Sequence, residues 1–304
     1  RDTDRSRGLG DVYKRQAYDL SNVNTDDVTI GDEDSEYRLP LATVYVSMSE
    51  LNEGGADIKT LFDEADIWLP SPLPGNAAYV DLRELQNTPE TITPLLDALI
   101  DQMMDDDAKI TAVADLLAEK YLSTFLPLLP PNTDPADFKP VFIEAFRNMP
   151  MLHDRLSGEV KSLAGSYLTE LKVQDVTYDI GKIDIGGDVV DMLCENLDSE
   201  GTPNPKNTLH LYGSITSALP VSLRLVPYFS PTNVRFDVTV EPGKTNEIRE
   251  TQLFESDLRQ IIEGAEIILP VSLEKYYPGY DFTSDQQIVI TLRLIKRGGL
   301  KLNL

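Results

Sequence analysis

The chain has 304 residues, 41% of them hydrophobic and 8% aromatic, with 51 acidic against 27 basic residues and a formal net charge of −24. That composition can build a core and excludes wholesale disorder, and no apolar run reaches the length of a membrane-spanning helix. So acidic a balance, with no basic stripe to offset it, repels phosphate backbones and argues against nucleic-acid binding.

The chain opens RDTDRSRGLGDVYKRQ. Asp11–Gln16 is the translation of GATGTGTATAAGAGACAG, the end sequence of a transposase used to prepare sequencing libraries. In the same frame, Ser6–Gly10 matches the adapter before it, Arg1 and Asp2 match the primer, and Thr3–Arg5 fill the variable index. Residues 1–16 are therefore expected to be a non-native adapter-derived tail that packs against nothing, and fold reasoning starts at Ala17. With five basic and three acidic residues set aside, the remainder carries a charge of about −26. On this reading the natural N-terminus is missing, and the lack of a signal peptide says nothing about the compartment.

Ala17–Glu36 is acidic and polar. Asp26, Asp32 and Asp34 have oxygen ligands for calcium, but the glycine that an EF-hand loop needs is absent, and a solvated linker is the blander reading. Arg38–Met48 alternates like a strand, and Asn52–Phe62 reads as a short helix or turn. Ile67–Gly75 (IWLPSPLPG) is too rich in proline for regular helix. It contains Trp68, the only tryptophan, which would either stack on a ligand or partner or plug the end of a sheet.

From Thr88 the apolar period changes to that of helices. Thr88–Pro89 and Thr93–Pro94 are both cap-and-first-turn pairs, the second the firmer. Ile92, Leu95, Leu96, Leu99, Ile100 and Met103 form one stripe. Ile110, Val113, Leu116, Leu117, Tyr121 and Leu122 form another. Phe138, Val141, Phe142, Ala145 and Phe146 mark a third helix capped by Thr133 or Asp134, and a fourth is expected over about Leu152–Leu171. These stripes are core faces rather than a cofactor box, and they are too acidic for a membrane-surface helix.

Strand character returns at Lys172–Asp184, followed by a helical turn over Asp188–Asn196. Leu209–Val240 is the clearest stretch. Val221, Leu223 and Leu225 alternate with polar residues, as do Phe236, Val238 and Val240, and Tyr228–Asn233 reads as a turn between them. The pattern resumes at Glu266–Leu273 and at Gln287–Leu294. One apolar and one polar face per strand is the antiparallel pattern. The pentapeptide LPVSL occurs at Leu219–Leu223 and again at Leu269–Leu273; a proline there belongs at an edge, a strand start or a bulge. Ser256 looks like the cap of a short helix. The loop YYPGYD offers Tyr276, Tyr277 and Tyr280 as a contact surface or, more blandly, as packing around Pro278 and Gly279.

No catalytic constellation stands out. His153 and His210 belong to no metal-ligand pattern, no nucleophile elbow or dinucleotide glycine pattern is present, and no cofactor is implied. Gly181 and Gly186 have the spacing of a phosphate loop, but Gly187 and Asp188 stand where that loop needs Lys and Ser or Thr. Carboxylates are numerous enough to leave a glycosidase-like acid pair open. Cys194 is the single cysteine, so the chain has no disulfide framework and no cysteine zinc site.

YDL near the start, the acidic spacer and RLPLATVYVSMSEL resemble the region after the lipid-bearing cysteine in cell-envelope lipoproteins of gut Bacteroidetes. NTLHLYGSITSALPVSLRL and AEIILPVSL are similar in style to the β domains of that group. The resemblance implies export, a lipid-anchored N-terminus and a β-rich, non-enzymatic body at the outer membrane or cell surface. It carries over no functional residue.

The expected fold is α+β, with an N-terminal β and loop segment (17–87), a helical unit (88–171) and an antiparallel, sandwich-like β domain (172–304). The expected function is a non-enzymatic, envelope-anchored binding or structural protein. Its partner would be an unknown extracellular ligand or envelope protein, and it would meet a membrane only through the missing lipid anchor. Trp68, Tyr276, Tyr277 and Tyr280 are the ligand-binding candidates. A secreted carboxylate-dependent hydrolase and a carrier holding a hydrophobic ligand between helices and sheet are the alternatives.

Overall fold

The computed structural model describes residues 28–47, 58–173, 175–283 and 285–302. The adapter-like Arg1–Gln16 and the calcium candidate Asp26 lie outside them. The fold is α+β, and every strand ladder in the described residues is antiparallel.

The strands are β1 (Val28–Ile30), β2 (Glu36–Ser47), β3 (Val80–Asp81), β4 (Val176–Gly181), β5 (Thr208–Ser217), β6 (Val221–Leu225), β7 (Tyr228–Ser230), β8 (Val238–Val240), β9 (Thr245–Leu253), β10 (Ala265–Leu269), β11 (Val271–Tyr276), β12 (Gln287–Arg297) and β13 (Leu300–Leu302). The principal sheet has the order β2-β12-β5-β9. Its inner face is the one that the alternation marks, with Ile288, Ile290, Leu292 and Leu294 of β12 buried against Leu209, Leu211 and Ile215 of β5. Pro40, which has no N–H for a ladder, falls on the edge strand β2, opposite Arg293, where the register slips. The second sheet has the order β3-β11-β6-β8, and β8 lies against β9 and β5, joining the sheets into a sandwich-like stack. The order β4-β10-β7 makes a third sheet, and β1-β13 a two-stranded extension.

The repeated LPVSL has a structural meaning. Each copy places its proline directly before the valine that starts a strand, β6 in one case and β11 in the other, and these two strands pair. Each strand also continues past a proline. Residues 226–227 separate β6 from β7, and Pro270 separates β10 from β11, yet Leu225↔Val271 and Tyr228↔Ile268 keep one register. The second and third sheets are therefore one antiparallel ribbon, divided where Pro227 and Pro270 cannot donate to the ladder; the Val226 N–H still reaches the Pro270 carbonyl at 3.2 Å.

The helices are α1 (Ile58–Trp68), α2 (Leu82–Asn87), α3 (Thr93–Asp105), α4 (Asp107–Lys120), α5 (Leu122–Phe125), α6 (Phe138–Asn148), α7 (Pro150–Glu170), α8 (Gly187–Cys194) and α9 (Glu255–Glu263). Pro94 enters the first turn of α3, and Asp106 caps α4 by accepting the Ala108 N–H at 2.8 Å. The predicted stripes are buried: Leu96, Leu99, Ile100 and Met103 on α3, and Ile110, Val113 and Leu117 on α4. Phe125, Phe138, Phe142 and Phe146 are all buried, and neighbouring rings lie 5.8 to 6.2 Å apart. Each such ring contributes on the order of 2 kcal/mol of hydrophobic stabilisation.

Several boundaries differ from the sequence reading. The short helix or turn expected over Asn52–Phe62 is, among the described residues, the helix α1 from Ile58, and it runs on through Ile67 and Trp68 before the prolines stop it. Pro89–Ile92 is a 3₁₀ turn, and α7 starts at Pro150, which fits the first turn because a proline there lacks only an N–H that would go unpaired. Ser256 is not the cap of α9. Phe254 holds that position, and its N–H is taken by the Asp257 carboxylate at 3.0 Å. Phe236 precedes β8, which covers only Val238–Val240.

The helices and sheets contribute to one continuous buried cluster. Its junction is aromatic. Phe62 of α1 stacks on Tyr276 of β11 and on Phe282, with centroids 4.8 Å apart in both pairs.

Candidate functional site

The antiparallel pairing of β3 with β11 sets Val80 opposite Tyr276 and Asp81 opposite Lys275. One step further out, this brings Tyr79 beside Tyr277, and the two rings lie 5.5 Å apart at 52°. The Lys275 ammonium stands 4.9 Å from the centre of the Tyr79 ring, a cation–π distance. Glu241, just past β8, holds both neighbours. One carboxylate oxygen accepts from Lys275 Nζ at 3.0 Å and the other from the Tyr277 hydroxyl at 3.1 Å. Burial works to raise the Glu241 pKa, but Lys275, the Tyr277 hydroxyl and Lys244 outweigh it and hold the carboxyl below its usual value. The hydrogen bond to Glu241 raises Lys275 in turn. Both groups are charged at neutral pH, and the clamp ties down the Tyr277 hydroxyl and sets the Lys275 ammonium against the Tyr79 ring.

The patch is accessible. Tyr79 is 40% exposed, and Tyr280, on the same loop as Tyr277, is 63% exposed. Beside Tyr79 lies a shallow cavity of about 160 Å³ walled by Leu73, Leu85, Thr91, Pro94 and Leu95. That volume is below the range of sites that enclose a whole drug-sized ligand, so it accommodates one edge of a larger one.

Two of the sequence-derived candidates are elsewhere. Trp68 ends α1 with none of its surface exposed, and its indole N–H points to Glu64 Oε1 at 3.4 Å. It therefore plugs the helix layer and presents no face to a ligand. Tyr276 is also fully buried, in the stack with Phe62. The strand alternation explains the split within YYPGYD, because successive residues point to opposite faces. Of the three, Tyr277 joins the surface patch, and Tyr280 is exposed further along the same loop. Tyr79, Lys275 and Glu241 were missed by the sequence reading. Tyr79 precedes a strand of only two residues, too short to show alternation, and Lys275 and Glu241 resemble any of the chain's many exposed charges.

Asp32 is occupied locally. Its Oδ1 accepts from the Ser35 hydroxyl at 2.9 Å and the Asp34 N–H at 3.1 Å, closing a turn. Among the described residues no group of three or more His, Cys, Asp or Glu side chains is placed to hold a metal ion. His153 is engaged at both nitrogens, with Nδ1 2.7 Å from the Phe146 carbonyl and Nε2 3.3 Å from the Ser157 hydroxyl. His210 Nε2 lies 2.9 Å from the Thr208 hydroxyl, and burial lowers its pKa. Cys194 is buried at the end of α8, where burial pushes the thiol up to about 11.

The interior holds a second polar group. Glu64 is buried on α1 and accepts from the Tyr121 hydroxyl at 2.9 Å and from Lys120 Nζ at 2.5 Å. Two residues on, Asp66 has a raised pKa. Burial is the main cause, opposed by the Tyr276 hydroxyl, the Gly279 N–H and Lys109, and its Oδ1 is buried without a hydrogen-bond partner. Asp66 does not line the cavity beside Tyr79.

No protein-family model matches the chain, and no curated protein matches it. Among solved structures, a crystal structure from Parabacteroides distasonis ATCC 8503, described as a "putative secreted protein", aligns with a TM-score of 0.30 and 18% identity. The alignment covers 41% of this chain and 38% of that one, a likeness too slight to carry an argument. No helix among the described residues is long and apolar enough to cross a membrane.

Proposed function

We propose that this chain is a non-enzymatic binding protein of the cell envelope, and that Tyr79, Tyr277 and Tyr280 form its contact surface. The observation that carries the reading is the preorganised, exposed Tyr79 ring, held between Lys275 and Tyr277 beside a shallow cavity. Rigid tyrosines supply contact area at low entropic cost, which suits recognition. The envelope location rests on the lipoprotein-like sequence features around Arg38–Leu51. A glycosidase-like hydrolase needs two carboxylates facing each other across an open cleft. Glu241 is instead tied to Lys275 and Tyr277, and Asp66 is walled in by Tyr276 and the Gly279 backbone. A hydrophobic carrier needs space between helices and sheet, where the Phe62, Tyr276 and Phe282 stack is packed instead.

The test is an array of glycans and peptides probed with the wild-type chain and with the double variant Tyr79→Ala, Tyr280→Ala. The reading expects binding to at least one class, reduced tenfold or more in the variant at unchanged melting temperature. Undiminished binding by the variant, or turnover of an arrayed glycan, overturns it. The location is tested by sequencing the gene upstream of Ala17: a reading frame without a signal peptide ending at a cysteine removes the envelope assignment.

A further inference from the structure

A second cavity lies where the β2–β12 ladder gives way to β1–β13. The ladder ends at Glu36↔Arg297 and resumes at Ile30↔Leu300, so residues 31–35 stand against 298–299. The mismatch is taken up by Gly31 at φ +82° and Gly298 at φ +85°, conformations that glycine adopts without penalty. The surplus residues fold into the Asp32 turn, and Ser35 accepts the Gly298 N–H at 3.0 Å. From beneath, the fully buried Lys296 donates to the Arg297 carbonyl at 2.8 Å. The opposite wall is equally fixed. Asp198 accepts the Lys206 and Asn207 N–H groups at 2.7 and 2.8 Å, and Asn196, just past α8, holds a left-handed φ of +58°.

These walls border an open concavity of about 360 Å³ lined by Asp32, Glu33, Asn196, Asn207, Gly299 and Lys301, together with Gly31. No side chain in that lining is purely apolar, which disfavours a hydrophobic ligand. The charges nearly balance. Asp32, Glu33 and Lys301 share the lining, while Glu33 also pairs with Lys206 and Lys301 lies 3.8 Å from Glu195. An anion would meet the two carboxylates on a chain of charge −24, and a cation would meet Lys301 and find Glu33 already paired with Lys206. The Asn196 and Asn207 carboxamides each present a donor and an acceptor.

We infer that this cavity binds a neutral polyhydroxylated ligand, a single sugar unit, through the Asn196 and Asn207 carboxamides and Lys301. Adjacent ring hydroxyls both donate and accept, which matches carboxamide, carboxylate and ammonium groups set side by side. The volume suits one such ring at the small end of ligand sites. This site is separate from the tyrosine patch and stands independently of it.

Saturation-transfer NMR of the full chain with D-glucose, D-galactose and N-acetyl-D-glucosamine at millimolar concentration tests the inference. The variants are Asn196→Gly, which keeps the left-handed backbone and removes the carboxamide, and Lys301→Met, which keeps the aliphatic stem. Tyr79→Ala is the control for the other site. At least one sugar should show transfer to wild type and to Tyr79→Ala, with a fivefold or greater loss in both cavity variants. Lack of transfer from all three sugars, equal transfer in Lys301→Met, or stronger transfer from L-glutamate or L-lysine overturns the inference.

Discussion

Tyr276 of β11 stacks on Phe62 of α1 with ring centroids 4.8 Å apart and 25° between the planes, and both side chains are buried. This contact fastens the helix layer to the second sheet, and the Tyr276 hydroxyl adds a long hydrogen bond of 3.4 Å to the Phe62 carbonyl and also interacts with the Asp66 carboxylate. Phe62→Ala should therefore destabilise the fold by about 3–5 kcal/mol, the range for truncating a buried aromatic. Tyr276→Phe, which also takes a donor from Asp66, should cost less, about 1–2 kcal/mol. Urea unfolding midpoints of the two variants check this; equal losses would show that the hydroxyl, and not the stack, makes the junction.

Glu64 makes an asymmetric prediction. Its carboxylate is buried, whereas the Lys120 side chain retains 36% of its exposure. Removing the lysine leaves a buried charge without its counter-ion, while neutralising the acid leaves a lysine that can turn to water. Lys120→Met should cost about 3 kcal/mol and Glu64→Gln about 1–2 kcal/mol, measured by chemical denaturation at neutral pH. A larger loss for Glu64→Gln would contradict the burial argument.

Lys109 gives a pH dependence. Its ammonium is drawn into the α1 C-terminus, donating to the Asp66 and Leu69 carbonyls at 3.0 and 2.5 Å, and burial lowers its pKa from 10.5 to about 8. Between those values the unfolded chain binds the proton and the folded chain does not, so this group's contribution to stability rises with pH from about 8 to about 10.5. The full effect is at most about 3 kcal/mol. Stability of wild type minus that of Lys109→Met, followed over this window, should increase; a flat or falling difference would refute the assignment.

Gly213 of β5 approaches β12 so closely that a Cβ would overlap the Thr291 carbonyl oxygen. It also adjoins the register slip between β5 and β9. Gly213→Ala should destabilise by about 2 kcal/mol or more through forced separation of the central strands. Thermal unfolding tests it, with Gly158→Ala, where nothing lies within 4 Å, as the permissive control.

The alternation in Val221–Leu225 and Gln287–Leu294 and the stripes of α3, α4 and α6 were legible because each follows from the period of its own element. Position in the tertiary layers was not legible. IWLPSPLPG reads as an exposed loop, yet Trp68 is the last residue of a helix and Glu64, one turn earlier, reaches its indole. YYPGYD reads as one aromatic surface, but strand geometry sends Tyr276 inward and leaves Tyr277 outward. The patch needed Tyr79, brought in from nearly 200 residues away by a two-residue strand that has no periodic signal of its own.

By itself, the sequence determined the α+β class, the antiparallel pairing and the buried faces, since hydrophobic period and proline placement act locally. It left the LPVSL prolines at an edge, a strand start or a bulge, and the structure places both directly before a strand. Only the tertiary structure decided that β6 and β11 are neighbours, that the helices and sheets share one core, and that Tyr79, Lys275, Tyr277 and Glu241 converge. Those outcomes depend on long-range pairing, where the energy of burying one shared apolar surface, rather than the preference of any segment, selects the arrangement.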